Sequence, residues 1–260
     1  MNALVRILSL PAVALSKVPG FGPLIRACST SVGQKIVMAI TGLSLCGFLV
    51  MHLLGNLNLF AGEEKFNHYA ETLHSLGPLL AAAEVGLFAT FLAHIGLALS
   101  TAAMNRTARG GSYLMKESKQ PPFALPSGGA SNWMMLTGGV IFLFLVLHIV
   151  DMKLKVDPLV DYTPAVVVDD AGSASHGDGH MNEFMVVRQV LRSPVNAVAY
   201  FIALIALGVH LSHGFRSALQ TLGVNHRRWN SLLTCISVLF AWAIAVGFIS
   251  LIVWAFAAPQ

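Results

Sequence analysis

The chain has 260 residues, of which 55% are hydrophobic and only 11% are charged. Soluble globular domains carry about a quarter of charged residues, so this composition excludes an ordinary soluble protein. The net charge is +4, but the sequence contains no nucleic-acid-binding motif. The spacing of the three cysteines, Cys28, Cys46 and Cys235, does not indicate disulfide pairs.

Residues 1–27, within the N-terminal segment 1–30, resemble a signal peptide in composition, but Pro11 and Lys17 interrupt their apolar run. No small-residue cleavage pattern precedes a polar segment. We therefore predict a cytoplasmic, interfacial N-terminal segment that lies along a membrane surface.

Five apolar stretches follow within residues 31–257, at about 36–60, 77–103, 132–153, 195–215 and 231–257. Each is long enough to cross a hydrocarbon layer about 30 Å thick, which needs roughly 20 residues of helix. The sequence thus predicts an all-α integral membrane protein with five transmembrane helices. The long connection, residues 154–192, is predicted to be an outside loop. We interpret its DDAGSASHGDGH stretch as a flexible, solvated segment rather than as a metal site.

The distribution of Lys and Arg gives the orientation, because basic residues accumulate on the cytoplasmic side of membrane helices. With the N-terminus inside, eleven of the sixteen basic residues lie in inside segments: Arg6, Lys17, Arg26, Lys35, Arg106, Arg109, Lys116, Lys119, Arg216, Arg227 and Arg228. We therefore predict a cytoplasmic N-terminus and an outside C-terminus.

Two of the predicted spans contain the same pattern, a Thr-Gly pair followed by nine residues and a histidine. It reads TGLSLCGFLVMH, ending at His52, in the first span, and TGGVIFLFLVLH, ending at His148, in the third. Both spans run outwards, so at about 1.5 Å per residue both histidines lie past the midplane, towards the outer face. His94 and His210 lie late in the second and fourth spans, which run inwards, and so form an inner layer.

Two histidines at one depth on facing helices are what a six-coordinate haem iron requires, and bundles build cofactor sites from such inward-facing side chains. The first four spans are therefore predicted to bind two b-type haems, with His52 and His148 as outer and His94 and His210 as inner axial ligands. The absence of a C-x-x-C-H motif excludes covalent c-type attachment. A single intramembrane histidine can also serve only as an interhelical hydrogen-bonding group.

Other polar residues near these layers have two interpretations each. His213 follows His210 by one turn and is expected to contact a haem propionate or a quinone, and an exchange of ligand role with His210 stays open. Arg106 and Arg216, at inner helix ends, fit either haem propionates or positive-inside anchors. Several glycines would let a flat macrocycle approach the backbone, or would serve close helix packing: Gly42, Gly47, Gly86, Gly96, Gly138, Gly139, Gly208 and Gly214.

From about Ser31 to Trp254 the chain resembles the diheme cytochrome b anchor subunit of succinate:quinone oxidoreductases, the family of succinate dehydrogenase and fumarate reductase. The resemblance rests on SVGQKIVMAITGLSLCGFLVMHLLGNL, HSLGPLLAAAEVGLFATFLAHIGLAL, VHLSHGFRSALQTLGVNH and the Thr-Gly-to-His repeat. It implies a subunit of the bacterial cytoplasmic membrane whose partners are a flavoprotein and an iron–sulfur protein. A dimer of such heterotrimers is compatible with the resemblance. FAD and iron–sulfur clusters would belong to the partners, and the expected electron acceptor or donor in the membrane is a quinone, menaquinone first.

The resemblance also gives the layers a direction, with the inner haem proximal and the outer haem distal to the iron–sulfur partner. Some related fumarate reductases carry a glutamate two residues before the fourth ligand, where this chain has Gly208. Glu84 is taken as the one carboxylate embedded in a span, and is expected either to exchange protons with a quinone or to bind a neighbouring helix. Weaker candidates lie at or beyond the outer edge: Asn56, Asn58, His68, Glu71 and His74.

Two other functions compete with this interpretation. One is a diheme cytochrome b anchor of a different respiratory enzyme, such as a hydrogenase or formate dehydrogenase, and a copurifying flavoprotein would distinguish the two. The other is a haem-free transporter or scaffold in which the histidines relay protons. It predicts a colourless protein.

Overall fold

The computed structural model describes residues 27–28, 30–109, 130–160, 162, 167–168, 174–175 and 182–258. The predicted interfacial segment 1–30 lies outside these ranges except at Ala27, Cys28 and Thr30. Most of the stretch predicted to be flexible, residues 169–180, lies outside them too. The helices of the described part are α1 (Ser31–Asn56), α2 (Glu63–His74), α3 (Pro78–Arg109), α4 (Ala130–Ile149), α5 (Glu183–Arg192), α6 (Pro194–Thr221) and α7 (Asn230–Ala257).

Five of these helices are long and apolar enough to cross a membrane, namely α1, α3, α4, α6 and α7. Their large apolar side chains are widely exposed, for example Leu143 at 68% and Val253 at 62%, as expected of helices that face lipid. The prediction of five membrane-spanning helices is confirmed by length and composition, and the chain has the character of a multi-pass membrane protein. A 3₁₀ turn, Leu57–Ala61, continues α1, and a π turn, Val150–Leu154, continues α4.

The short helices α2 and α5 were not predicted, and they pack on one another. The N-cap of α5 is Asn182, whose side chain accepts a hydrogen bond from the Met185 N–H at 3.2 Å. Asn67 of α2 donates to Asn182 at 2.9 Å and accepts from the Phe184 N–H at 3.1 Å. The Phe66 and Phe184 rings meet edge to face, with centroids 6.3 Å apart. Part of the predicted outside loop is thus a helix with a buried face.

Within the same loop, two strands of two residues each, β1 (Val167–Val168) and β2 (Ala174–Ser175), pair antiparallel. A two-residue pair adds little stability by itself. This short strand pair gives part of the loop a regular structure that its composition does not indicate. The described part of the fold is otherwise helical.

The chain divides into two compact units. Unit 1 comprises Met1–Phe48, Ala81–Gly129 and His213–Ser237, and unit 2 comprises Leu49–Leu80, Ala130–Ser212 and Val238–Gln260. The buried apolar cluster of unit 2 draws on the 3₁₀ turn, α2, α5, α6 and α7: Leu59, Phe66, Val160, Phe184, Val190, Leu191, Ala197, Tyr200, Leu204, Leu251, Ile252 and Ala255. Three of the four predicted ligands, His52, His148 and His210, belong to unit 2, and His94 belongs to unit 1.

Candidate functional site

The two outer histidines lie side by side in unit 2. The ring centroids of His52 and His148 are 5.8 Å apart and the rings are nearly perpendicular, at 85°. Two imidazole–metal bonds of about 2 Å each separate the ligating nitrogens by roughly 4 Å, and the ring bodies extend beyond them. The centroid spacing of the two rings is therefore close to that of two imidazoles bound to one metal ion. Phe248 and Phe144 flank the pair, at centroid distances of 5.6 Å from His52 and His148 respectively.

In unit 1, the Thr-Gly pair of α1 holds His94 of α3. The Thr41 hydroxyl oxygen is 3.2 Å from His94 Nδ1 and 3.0 Å from the carbonyl oxygens of both Val37 and Met38. A hydroxyl has one proton, and Thr41 gives it to a carbonyl of its own helix, so its oxygen accepts a hydrogen bond from Nδ1–H. This arrangement leaves Nε2 of His94 with its lone pair available to a ligand.

The second Thr-Gly pair repeats the arrangement in unit 2. The Thr137 hydroxyl donates to the Trp133 carbonyl at 2.8 Å, and its oxygen is 3.1 Å from Nδ1 of His210 on α6. The same proton count makes Nδ1 the protonated nitrogen of His210. The sequence repeat relates His52 to His148, whereas its threonines contact His94 and His210.

The glycines of the repeat lie beside the two histidine rings. A Cβ added to Gly42 would lie 3.1 Å from Cε1 of His94, which is a tight contact, and one added to Gly138 would lie 3.5 Å from Cε1 of His210, which is an ordinary van der Waals distance. That glycines let a macrocycle approach the backbone stays a prediction. Open space lies beside Gly47, Gly86 and Gly139.

The outer ligand His148 is held differently, by a tyrosine and a carboxyl. Its Nδ1 is 3.3 Å from the Tyr200 hydroxyl oxygen, and Tyr200 donates its own proton to Oδ2 of Asp151 at 2.8 Å. Tyr200 therefore accepts from Nδ1–H, as the threonines do. Asp151 is fully buried, and its Oδ1 has no hydrogen-bond partner among the described residues.

This finding corrects the assignment of Glu84 as the one carboxylate embedded in a span. Asp151 lies in the span Trp133–Leu154 and is linked to an outer histidine, whereas the Glu84 side chain is exposed on α3. Sequence reasoning missed Asp151 because it follows His148 by only three residues, at the end of an apolar run. Its signal was a lone carboxylate within one helical turn of a predicted ligand.

Further polar groups extend from Asp151 beyond the span. Burial of Asp157 raises the pKa of its carboxyl, but hydrogen bonds from Asn196, from the Leu159 N–H and from the Asp151 side chain lower that pKa by more, to below its ordinary value. The first two bonds measure 2.6 Å and 2.9 Å. Burial, followed by the nearby carboxyls of Asp151 and Asp157, raises the pKa of Tyr162 to about 12.

The remaining ligand and two weaker candidates form local contacts. The Asn56 amide nitrogen donates to the His52 carbonyl at 2.8 Å and lies 3.5 Å from His52 Nδ1. Asn58 donates to the Gly55 carbonyl at 2.9 Å. Neither asparagine is thereby assigned to a quinone.

The structure places the other candidates as follows. His213 is half-buried on α6, close enough to Arg216 for charge interaction, and Arg216 Nε is buried without a hydrogen-bond partner in the described part of the chain. Arg106 is exposed near the end of α3. The candidates on α2 are all exposed: His68, Glu71 and His74.

Two further positions qualify the sequence argument. A Cβ on Gly208 would lie 3.3 Å from Trp242 and Ala245 of α7, so this residue serves close helix packing where the resemblance expects a glutamate. Because α3 continues to Arg109, His94 is the seventeenth residue of a 32-residue helix, nearer its middle than the predicted span 77–103 indicated.

Within the described residues, no group of three or more His, Cys, Asp or Glu side chains could hold a metal ion. A haem iron needs only two protein ligands, because the porphyrin supplies four nitrogens. Two observations fit a haem: the spacing of the outer rings and the buried Arg216 Nε, a donor suited to a propionate. Comparisons of the chain with protein-family models, curated proteins and solved structures found no match.

Proposed function

We propose that the chain is the membrane-anchoring diheme cytochrome b subunit of a succinate:quinone oxidoreductase. One observation carries the proposal: three of the four predicted ligands, His94, His148 and His210, have Nδ1 bound by a hydroxyl whose proton is given elsewhere. That hydrogen bond favours the tautomer in which Nε2 carries the lone pair, and this is the usual arrangement around metal-bound histidine.

In this proposal His52 and His148 hold the outer haem, and His94 and His210 hold the inner one. Each haem supplies one-electron transfer when bound. Thr41, Thr137 and Tyr200 orient the ligands, and Arg216 offers its buried Nε to a propionate. The inner pairing rests on the order and depth of the helices in the sequence.

The chain would connect a cytoplasmic iron–sulfur and flavoprotein pair with membrane quinone, menaquinone being the expected one. Dicarboxylate chemistry belongs to the partners in this proposal, because the chain has neither a flavin-binding motif nor a set of cluster-binding cysteines. The predicted setting is the cytoplasmic membrane of a bacterium, with the inner layer towards the iron–sulfur protein.

The test is the haem content of the chain expressed in bacterial membranes with haem synthesis intact. A pyridine haemochrome assay should give two haems b per chain, and reduced-minus-oxidised spectra should resolve two b-type components. His52→Ala and His148→Ala should remove one component, and His94→Ala and His210→Ala the other. His68→Ala, on the exposed face of α2, is the matched control and should retain both.

A haem content near zero in the wild-type chain would overturn the proposal and favour a haem-free relay. Loss of the outer component in the His94 variant would contradict the pairing alone. If the chain copurified with a hydrogenase or formate dehydrogenase in place of a flavoprotein, it would still be a cytochrome b, but the proposed partner would be wrong.

A further inference from the structure

The strongest feature outside the histidines themselves is the buried pair formed by Tyr200 and Asp151. Resting on the proposed function, we propose that this pair polarises His148 and lowers the reduction potential of the outer haem. Tyr200 and Asp151 are positioning residues in this proposal, because neither is a ligand.

The hydrogen bonds have a definite direction. His148 Nδ1–H donates to the Tyr200 oxygen at 3.3 Å, and Tyr200 O–H donates to Asp151 Oδ2 at 2.8 Å. Tyr200 is 5% exposed and Asp151 is 0% exposed, so water does not compete for these bonds. The Phe144 ring packs against Tyr200 edge to face, with centroids 4.8 Å apart, and fixes the position of the phenol.

The acceptor at the end of the chain distinguishes His148 from the other ligands. The threonines beside His94 and His210 pass their protons to neutral carbonyls of their own helices. Tyr200 passes its proton to Oδ2 of the buried Asp151 carboxyl. A carboxylate accepts from the Tyr200 O–H more strongly than a peptide carbonyl does, so the Tyr200 oxygen attracts the Nδ1 proton of His148 more strongly. The imidazole then becomes a stronger electron donor through Nε2.

A more basic axial ligand stabilises the oxidised iron relative to the reduced iron, because the oxidised iron carries the extra positive charge. His52, the opposite ligand, lies 3.5 Å from the amide nitrogen of Asn56, and the shorter bond of that amide goes to a main-chain carbonyl.

The experiment is a spectroelectrochemical titration of both haem components in Tyr200→Phe and Asp151→Asn. Tyr200→Phe removes the acceptor of Nδ1–H and should move the midpoint of the outer component to higher potential. Asp151→Asn retains an oxygen that accepts from Tyr200 but removes the carboxylate. It should also raise the midpoint potential of the outer component, by a smaller amount than Tyr200→Phe does. The inner component should keep its midpoint in both variants.

Tyr69→Phe, on the exposed side of α2, is the matched tyrosine control and should shift neither component. Thr137→Val is the crossed control and should change the inner component only. A titration counts as a test only when both haem components are present at wild-type stoichiometry. If Tyr200→Phe fails to bind haem, the titration of Asp151→Asn is the test.

An unchanged outer midpoint in a haem-loaded Tyr200→Phe variant would overturn the inference. A shift of the outer midpoint potential in Tyr200→Phe without a shift in Asp151→Asn would show that Asp151 does not contribute to that potential. Failure of the proposed function is a separate result: the wild-type chain would then bind no haem, or would bind its haems and copurify with a different respiratory enzyme.

Discussion

At the scale of single residues, the two threonines of the repeat do the same work in different units. Thr41 accepts from His94 and Thr137 accepts from His210, at 3.2 Å and 3.1 Å. Both hydroxyls are anchored to a carbonyl one turn earlier in their own helix, so each histidine has a fixed orientation. A valine would keep the shape of either side chain and lose the acceptor.

We expect Thr41→Val and Thr137→Val to alter the same b-type component, the inner one, because the two histidines are proposed to share a haem. Removing a hydrogen bond to a buried group costs about 1–3 kcal/mol, so ligand exchange or weakened haem binding should be visible in reduced spectra. Thr90→Val is the matched control, since the Thr90 hydroxyl contacts only the Gly86 carbonyl among the bonds described. If the two variants altered different components, the inner pairing would be wrong.

Asp157 gives a prediction about pH. Its pKa in the folded chain is below the ordinary value, so the carboxylate stabilises the fold above the unfolded-state pKa of about 3.9. This stability is lost as the pH falls below that value and through the folded-state pKa. Thermal unfolding in detergent should therefore show a steeper loss of stability between about pH 4 and pH 3 for the wild type than for Asp157→Asn. Equal slopes would contradict the assignment.

The four histidines could be predicted because charged or ionisable groups are rare in apolar helices and therefore stand out in the sequence. Tyr200 could not be found in this way. It is an amphipathic residue in an apolar helix, ten positions before His210, and only the packing of α6 on α4 brings its hydroxyl to His148. The partner of a ligand is set by helix rotation, which hydropathy does not determine.

At the scale of elements, the five long helices could be predicted because a membrane helix must satisfy all its backbone hydrogen bonds and present apolar side chains throughout. The short helices α2 and α5 have no such signal. Their apolar residues form one face of a polar segment, and the helices are stabilised by each other and by α7 through contacts such as Phe184 with Trp254, at 5.6 Å. The tertiary contacts decide their structure more than local propensity does.

A pair of bonds from α5 to the end of α7 gives a test of this dependence. Arg192 donates from Nε to the Ala255 carbonyl and from Nη2 to the Ala258 carbonyl, both at 2.7 Å. A cation at a helix C-terminus also interacts favourably with the helix dipole.

Arg192→Ala should therefore lower the free energy of unfolding by about 2 kcal/mol, because two charged hydrogen bonds to main-chain carbonyls are lost and only the longer bond from Arg188 to the Ala258 carbonyl remains, at 3.4 Å. Thermal unfolding in detergent would measure it. Arg228→Ala removes an exposed arginine from the α6–α7 loop and should leave stability nearly unchanged. Comparable losses in both variants would mean that the helix end does not depend on Arg192.

At the scale of the whole molecule, the basic residues predict the orientation in the membrane. Eleven of the sixteen Lys and Arg residues lie in segments assigned to the inside. A reporter enzyme active only outside the cytoplasm, fused after Gln260, should therefore be active, whereas the same reporter inserted after Gly223, in the α6–α7 loop, should be inactive. The reverse pattern would invert both haem layers with respect to the cytoplasm.

The hydrogen bonds that start at the histidine side chains end on different kinds of group. Among the bonds described, those of His94 and His210 lead to a threonine and from it to a carbonyl of the threonine's own helix. Those of His148 lead through Tyr200 to Asp151, a buried carboxyl near the end of the span Trp133–Leu154. Under the proposed function, a change of charge at the outer haem can be met by a shift of protons among His148, Tyr200 and Asp151, whereas the threonines offer fixed dipoles to the inner haem. The midpoint potential of the outer component should therefore depend on pH more than that of the inner component.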